Sequence, residues 1–419
     1  GPGKSEMMQT WRPLFAALLI ASAHAFSPAL PLGLKKAADF GHHQHARPNC
    51  GSSLVMMAKK SSVKGNKVMP TAKGFTTKAK LVGPAKQISS PKISKLMAWM
   101  EKGGANVGKV CVADFNGLRG VAALQDIEAG EAIVTVPQDL SLNLGSEGSN
   151  PGYAAAQLVR IETDTERKAA GWFQEFLDVL PPYAECDTTD FFSDEELAAL
   201  EWPSIIEETK RRYTMLRSTY DATQIASVQE KANNAKFTYE EFMWGVYQVV
   251  SRVLTIYTNA DGGIKYLIPM IDFFNHDPSS ANTLKCSQGI FSVVAGKRIK
   301  AGQQINIVYG SGLLNNDRIV QEYGFVEAEC PNDVKQLVMP ATKDLLPGFP
   351  FAGMGKDEQG LSALLAGFST SAEEDEKLLP TLQGKMRIAV SFRLEKKRAI
   401  ARALAQLSGG AVGTLDFSD

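Results

Sequence analysis

The feature that most constrains this chain is an uneven charge distribution hidden by a neutral total. Lys and Arg number 45 and Asp and Glu number 45, yet residues 1–100 hold 15 of the bases and two of the acids, Glu6 and Asp39. The first hundred residues carry +13 and the rest carry −13. From residue 26 to about 90 the chain is rich in Lys, Ser, Gly and Pro and poor in large apolar residues; a segment like this cannot bury enough surface to offset its chain entropy and is expected to be disordered. The folded body must begin near residue 91, and its length suits two domains or one domain with an insertion.

Composition excludes several classes. At 44% hydrophobic and 21% charged, the chain is neither a wholly disordered nor a polytopic membrane protein. Its cysteines, at 50, 111, 186, 286 and 330, form no C-x-x-C pair, so free thiols are expected and no metal site. His42, His43 and His45 form a cluster, but their surroundings read as spacer.

The amino terminus carries a targeting pattern. Arg12 precedes an apolar run, Pro13 to Ala21, and then Ala23-His24-Ala25, a small-x-small cleavage pattern before Phe26. The run is too short to span a bilayer. Residues 1–25 therefore read as a signal peptide, residues 1–6 as an extension ahead of it, and Val55-Met56-Met57-Ala58 as a second processing site. Plain secretion is the alternative reading. No later segment has 18 consecutive apolar residues, which predicts a soluble mature form with no membrane contact, and a monomer.

In the body, Ile93, Leu96, Met97 and Met100 recur at helical spacing before Gly103-Gly104. Short strands are expected at Lys109–Ala113, Val121–Leu124 and Ile133–Val136. Residues 150–235 turn to long charged helical patterns. Thr238 and Glu241 form a capping box ahead of an apolar stripe, Phe242, Val246, Val249 and Val253. Strand signals return at Ile290–Val294 and Gln304–Tyr309, the latter placing Ile305, Ile307 and Tyr309 on one face. Helical patterns follow Pro331. The basic run Lys385, Arg387, Arg393, Lys396, Lys397, Arg398, Arg402 reads by default as a solvated helix face.

Three segments carry a more specific signal: Leu118-Arg119-Gly120-Val121-Ala122-Ala123 followed by Asp126-Ile127; Ile268-Pro269-Met270-Ile271-Asp272-Phe273-Phe274-Asn275-His276; and Tyr309-Gly310 ahead of Tyr323-Gly324-Phe325. With Trp172 to Pro181, their order and spacing resemble the SET-domain protein methyltransferases, in particular the branch containing the plant Rubisco large-subunit lysine methyltransferase and the actin-histidine methyltransferase. The resemblance covers about residues 91–328. It implies an α+β, β-rich SET fold with a pseudoknot, split by a helical insertion at about 146–240 and followed by a helical region, 329–419, like a shortened substrate-binding domain.

The resemblance implies S-adenosylmethionine as cofactor. It would contact Leu118, Arg119 and Gly120, Asn275 and His276, and Arg252, whose guanidinium would take the cofactor carboxylate. Tyr309 is the implied catalytic residue, orienting the amine and facing the sulfonium. Arg252, Ile256, Asp272, Tyr323 and Phe325 would line the substrate side. His276 is expected to be a satisfied structural residue, not a general base. The implied partner is a protein with an accessible lysine, of the Rubisco or aldolase type, with no nucleic acid. Histidine methylation and an inactive protein-binding module are the alternatives. The signal followed by a basic stretch resembles the bipartite plastid presequence of algae with secondary plastids, which implies the plastid stroma, with secretion or the cytoplasm as alternatives.

Overall fold

A computed structural model describes residues 85–145, 150–164, 169, 171, 173–229, 236–258, 262–338 and 357–409. The presequence reading, the histidine cluster, Cys50 and Trp172 lie outside the described residues.

Strand β1 (Lys86–Gln87) leads into helix α1 (Pro91–Lys102), where the Ser90 hydroxyl accepts from the Ile93 amide and Pro91 occupies the first turn. Ile93, Leu96 and Met100 are buried. Strands β2 (Val110–Phe115) and β3 (Leu118–Ala123) form a hairpin, and β4 (Ala132–Pro137) and β5 (Leu142–Asn143) follow. The expected helical insertion is present: α2 (Gly152–Thr163), α3 (Gln174–Leu177), α4 (Asp194–Ala198), α5 (Pro203–Gln229) and α6 (Tyr239–Arg252). The capping box at α6 forms in both directions, with Glu241 N donating to Thr238 Oγ1 at 3.1 Å and Thr238 N donating to Glu241 Oε2 at 2.7 Å. Phe242, Val246 and Val249 are buried, each adding about 1.5–3 kcal/mol; Val253, the last of the expected stripe, is half-buried at the C-cap.

Strands β6 (Leu254–Thr258), β7 (Gly262–Leu267), β8 (Asn275–His276), β9 (Thr283–Ser287), β10 (Ile290–Val294) and β11 (Gln304–Ile307) complete three sheets, in the orders β1-β2-β3-β11-β8, β4-β10-β9 and β5-β7-β6. The decisive strand is β11. It pairs antiparallel with β3 (Ile305↔Val121) and parallel with β8 (Asn306↔Asn275, Ile307↔His276). Three segments far apart in sequence thus share one sheet, and a slip of one residue would turn every side chain of β11 to the wrong face.

One local expectation is corrected. β11 ends at Ile307, and Tyr309 opens a short 3-10 turn, Tyr309–Gly312, instead of continuing the strand. Ile271–Phe273 is also a 3-10 turn, following the positive-φ residue Met270.

The carboxyl side is helical: α7 (Asn316–Tyr323), α8 (Pro331–Val338), α9 (Glu358–Ala366), α10 (Ala372–Leu378) and α11 (Gly384–Leu407). A second core joins these helices to the insertion, with Leu197, Leu200 and Trp202 packed among Leu337, Leu361, Phe392 and Ile400. The basic run in α11 is not a solvated face throughout. Arg393, Lys396 and Lys397 are buried: Arg393 pairs with Asp375 and Glu201, Lys396 with Asp317 (2.6 Å) and Asp333 (2.7 Å), and Lys397 with Asp375 (2.6 Å). Burying these cations between carboxylates offsets their desolvation and sets the register of the helix against its neighbours. Among the described residues no helix is long and apolar enough to cross a membrane.

Candidate functional site

Helix α6 ends at Arg252, β3 opens at Leu118, β8 holds Asn275 and His276, and the β11 exit delivers Tyr309. Around their meeting point lie two cavities. The larger, about 780 Å³, is lined by Gly117, Leu118, Arg119, Pro181, Glu185, Asp187, Tyr247, Phe273, Asn275, His276, Phe325 and Lys385, among others. The smaller, about 240 Å³, has mainly apolar walls, with Leu254, Ile256, Ile268, Ile271, Phe274, Leu284 and Ile307. Ser251, Arg252, Asp272, Tyr309 and Tyr323 line both and form the wall between them.

The wall is aromatic and charged. The rings of Tyr309 and Tyr323 lie 4.7 Å apart. The Tyr309 hydroxyl donates to the Phe274 carbonyl at 2.6 Å, and burial pushes its pKa up to about 12. It is a neutral hydroxyl at physiological pH, able to orient a ligand but not to serve as a ready base. Arg252 Nη1 reaches the Asp272 carbonyl at 3.2 Å and Oδ2 at 3.4 Å. Burial raises the Asp272 carboxyl, opposed by the charges of Arg252 and Arg119. Arg252 Nε and Asp272 Oδ1 are buried and have no partner among the described residues.

His276 is fully engaged. Its Nδ1 accepts the Tyr309 backbone N–H at 2.9 Å, and its Nε2 lies 2.9 Å from Glu327 Oε2. A backbone amide can only donate, so Nδ1 is unprotonated and the ring proton sits on Nε2, facing the carboxylate.

Other residues singled out in the sequence take different places. Leu118 and Arg119 line the larger cavity, and the Arg119 guanidinium stacks 4.4 Å from the centre of the Phe273 ring while Nη1 donates to Val179. Gly120 stands off the cavity wall: a Cβ there would come 2.7 Å from Asn275 Nδ2, which donates to the Arg119 carbonyl at 2.9 Å. The close approach that needs glycine is made by the protein's own asparagine. Phe325 lines the larger cavity with His276, and Ile256 lines only the smaller.

Sequence reasoning passed over Asp187 and Tyr247 because no motif marks them, and it took Lys385 only as part of a solvated helix face, whereas all three line the larger cavity. Asp187 accepts from the Tyr247 hydroxyl at 3.1 Å, and burial pushes its carboxyl up to about 6 against the opposing charges of Arg252 and Lys385. It also packs against Gly324, the left-handed C-cap of α7, where a Cβ would collide with the carboxylate.

Residues 118–310 match the family model for the SET domain. The chain carries a SET domain. Two solved structures, Rubisco LSMT bound to AdoMet (TM-score 0.55, 18% identity) and Rubisco LSMT bound to sinefungin and monomethyllysine (TM-score 0.56, 19% identity), each align over 77% of this chain and 92% of their own. At that identity the likeness is one of fold, and the fold around this SET domain is theirs. In sequence the chain is similar to mouse (Mus musculus) actin-histidine N-methyltransferase, 27% identical over 55% of this chain and 41% of the relative. It is also similar to the chloroplastic fructose-bisphosphate aldolase lysine N-methyltransferase of Arabidopsis thaliana, 24% over 50% and 46%. The chloroplastic Rubisco large-subunit N-methyltransferase of Pisum sativum matches at 24% over 58% and 53%. The chain spans about half the length of these relatives.

Proposed function

We propose that this protein is an S-adenosylmethionine-dependent protein-lysine N-methyltransferase acting on a non-histone plastid protein of the Rubisco large-subunit or aldolase type. The observation that carries the reading is the shared wall: a larger cavity with mixed polar and apolar walls and a smaller, mainly apolar one meet at Tyr309, Tyr323, Arg252, Asp272 and Ser251. A two-substrate transfer in which the donor and acceptor enter separately needs this arrangement.

The larger cavity suits the cofactor on a specific ground. Arg252 Nε is a buried donor without a protein partner among the described residues, and the cofactor carboxylate is an acceptor of the right charge. Leu118, Arg119, Asn275, His276 and Phe325 would hold the remainder. When bound, S-adenosylmethionine supplies an electrophilic methyl group on a sulfonium.

The protein's own work is on the acceptor. A lysine with its ordinary pKa of about 10.4 is under 1% neutral at pH 8, a cost of about 3 kcal/mol. The apolar lining of Ile256, Ile268, Phe274 and Leu284 disfavours the ammonium and lowers that cost, and suits an aliphatic stem. Tyr309, held by Phe274 and His276, would orient the amine. The flanking regions follow the same reading: residues 1–90 as a plastid presequence, and 329–419 as a substrate-docking region.

The full-length protein with labelled S-adenosylmethionine and plastid extract should label a protein band on lysine. Absence of cofactor binding by calorimetry would leave a protein-binding module in its place. The similarity to an actin-histidine methyltransferase supports a second reading, and mass spectrometry placing the label on histidine would establish that one instead.

A further inference from the structure

A continuous run of hydrogen bonds, buried at its α11 end and partly buried toward the cavity, joins helix α11 to Tyr309. Lys396 Nζ donates to Asp333 at 2.7 Å, and Asp333 accepts from the backbone N (3.1 Å) and side-chain Nδ2 (2.6 Å) of Asn316. The Asn316 amide in turn clamps both backbone groups of Glu327: Nδ2 donates to its carbonyl at 2.9 Å, and Oδ1 accepts its N–H at 2.8 Å. From this fixed backbone the Glu327 carboxylate accepts the Nε2 proton of His276, whose Nδ1 accepts the Tyr309 N–H.

We propose that Glu327 is a positioning residue for Tyr309, acting through His276; the inference rests on the methyltransferase reading above. Tyr309 lies beyond the end of β11, so the strand ladder does not fix its backbone. Its amide is held by His276, and the imidazole presents Nδ1 at the right angle only while its other nitrogen is anchored. Glu327 supplies that anchor, and Asn316, Asp333 and Lys396 keep Glu327 in place. The helical region after the SET domain thereby reaches the site through bonds and not through docking alone. A displacement of about 1 Å at a transfer centre costs about a hundredfold in rate, which sets the scale for losing the anchor.

The test compares Glu327→Gln, whose Oε1 can still accept from Nε2, with Glu327→Leu, which fills similar space and accepts nothing. In the full-length protein the Gln variant should keep its rate of methyl transfer from labelled S-adenosylmethionine to plastid-extract protein within about threefold of the parent. The Leu variant should lose about 10- to 100-fold at saturating cofactor. Calorimetric affinity for S-adenosylhomocysteine should change by less than about threefold in the Gln variant and, in the Leu variant, by several-fold less than the rate does. Hydrogen exchange at the Tyr309 amide should quicken in the Leu variant alone, a readout that needs no turnover and so stands even if the parent transfers no methyl group. Equal rates for the two variants, unchanged exchange in the Leu variant, or a loss of cofactor affinity matching the loss of rate would each overturn the assignment. If the Leu variant does not fold, Glu327→Asp, one methylene short of Nε2, takes its place with the same exchange readout expected.

Discussion

Arg252 meets Asp272 through one guanidinium nitrogen only: Nη1 lies 3.2 Å from the carbonyl and 3.4 Å from Oδ2, and Nε has no partner among the described residues. The pair is therefore less a closed salt bridge than a cation held in place with donor capacity left over. Arg252→Lys keeps the charge and loses the fork. Affinity for S-adenosylhomocysteine by calorimetry should fall by about 10- to 100-fold, the worth of one or two charge-assisted bonds. A change under about twofold would remove Arg252 from the cofactor site.

Tyr309→Phe deletes the hydroxyl that bonds the Phe274 carbonyl and leaves the ring against Tyr323. If Tyr309 orients the amine as proposed, single-turnover rates should drop by about a hundredfold with cofactor affinity nearly unchanged, because the hydroxyl would act on the reacting atoms more than on the ground-state ligand. Equal losses in rate and affinity would show that Tyr309 serves binding alone.

Asp187 gives a pH signature. Its folded carboxyl titrates at about 6, above the ordinary value near 4. Between pH 4 and 6 the folded state therefore holds more protons than the unfolded one, and this group makes stability fall as pH rises through that window. Asp187→Asn should stabilise the protein at pH 7 by about 1 kcal/mol, after allowance for solvent screening, and the benefit should vanish below about pH 4. Melting temperatures of both forms from pH 4 to 8 would check the sign.

Lys396 is buried between Asp317 and Asp333, and Lys396→Met should cost about 3–5 kcal/mol by leaving two carboxylates without their cation. Urea unfolding would measure it. Adding Asp317→Asn to Lys396→Met should recover some of the loss; a double variant no better than the single would mean that packing, not charge, dominates.

Much of the architecture is legible along the chain because its signals are local. The capping box at Thr238 and Glu241, the apolar spacing of Phe242, Val246 and Val249, and the alternation in Ile290–Val294 depend on neighbours within a turn or a strand. The end of β11 is not local. Gln304–Tyr309 alternates as if it were one strand, but the parallel pairing with β8 stops at Ile307, and the bond to His276 draws Tyr309 into a turn.

The charge run of α11 shows the same division. Seven bases on one helix have the pattern of a solvent-facing surface, and only tertiary contact with Asp317, Asp333 and Asp375, remote in sequence, turns three of them inward. By itself the sequence determined which segments could form helices and strands and the residue types that resemble a SET domain. The tertiary structure decided that Tyr309 and Tyr323 stand between a larger, mixed cavity and a smaller, mainly apolar one, that Asn275 packs against Gly120, that Asp187 lines the larger cavity, and that Glu327 faces His276. Periodicity reports which face of an element is apolar, whereas the partner that faces a polar group is set by segments that lie from about twenty to more than a hundred and fifty residues away.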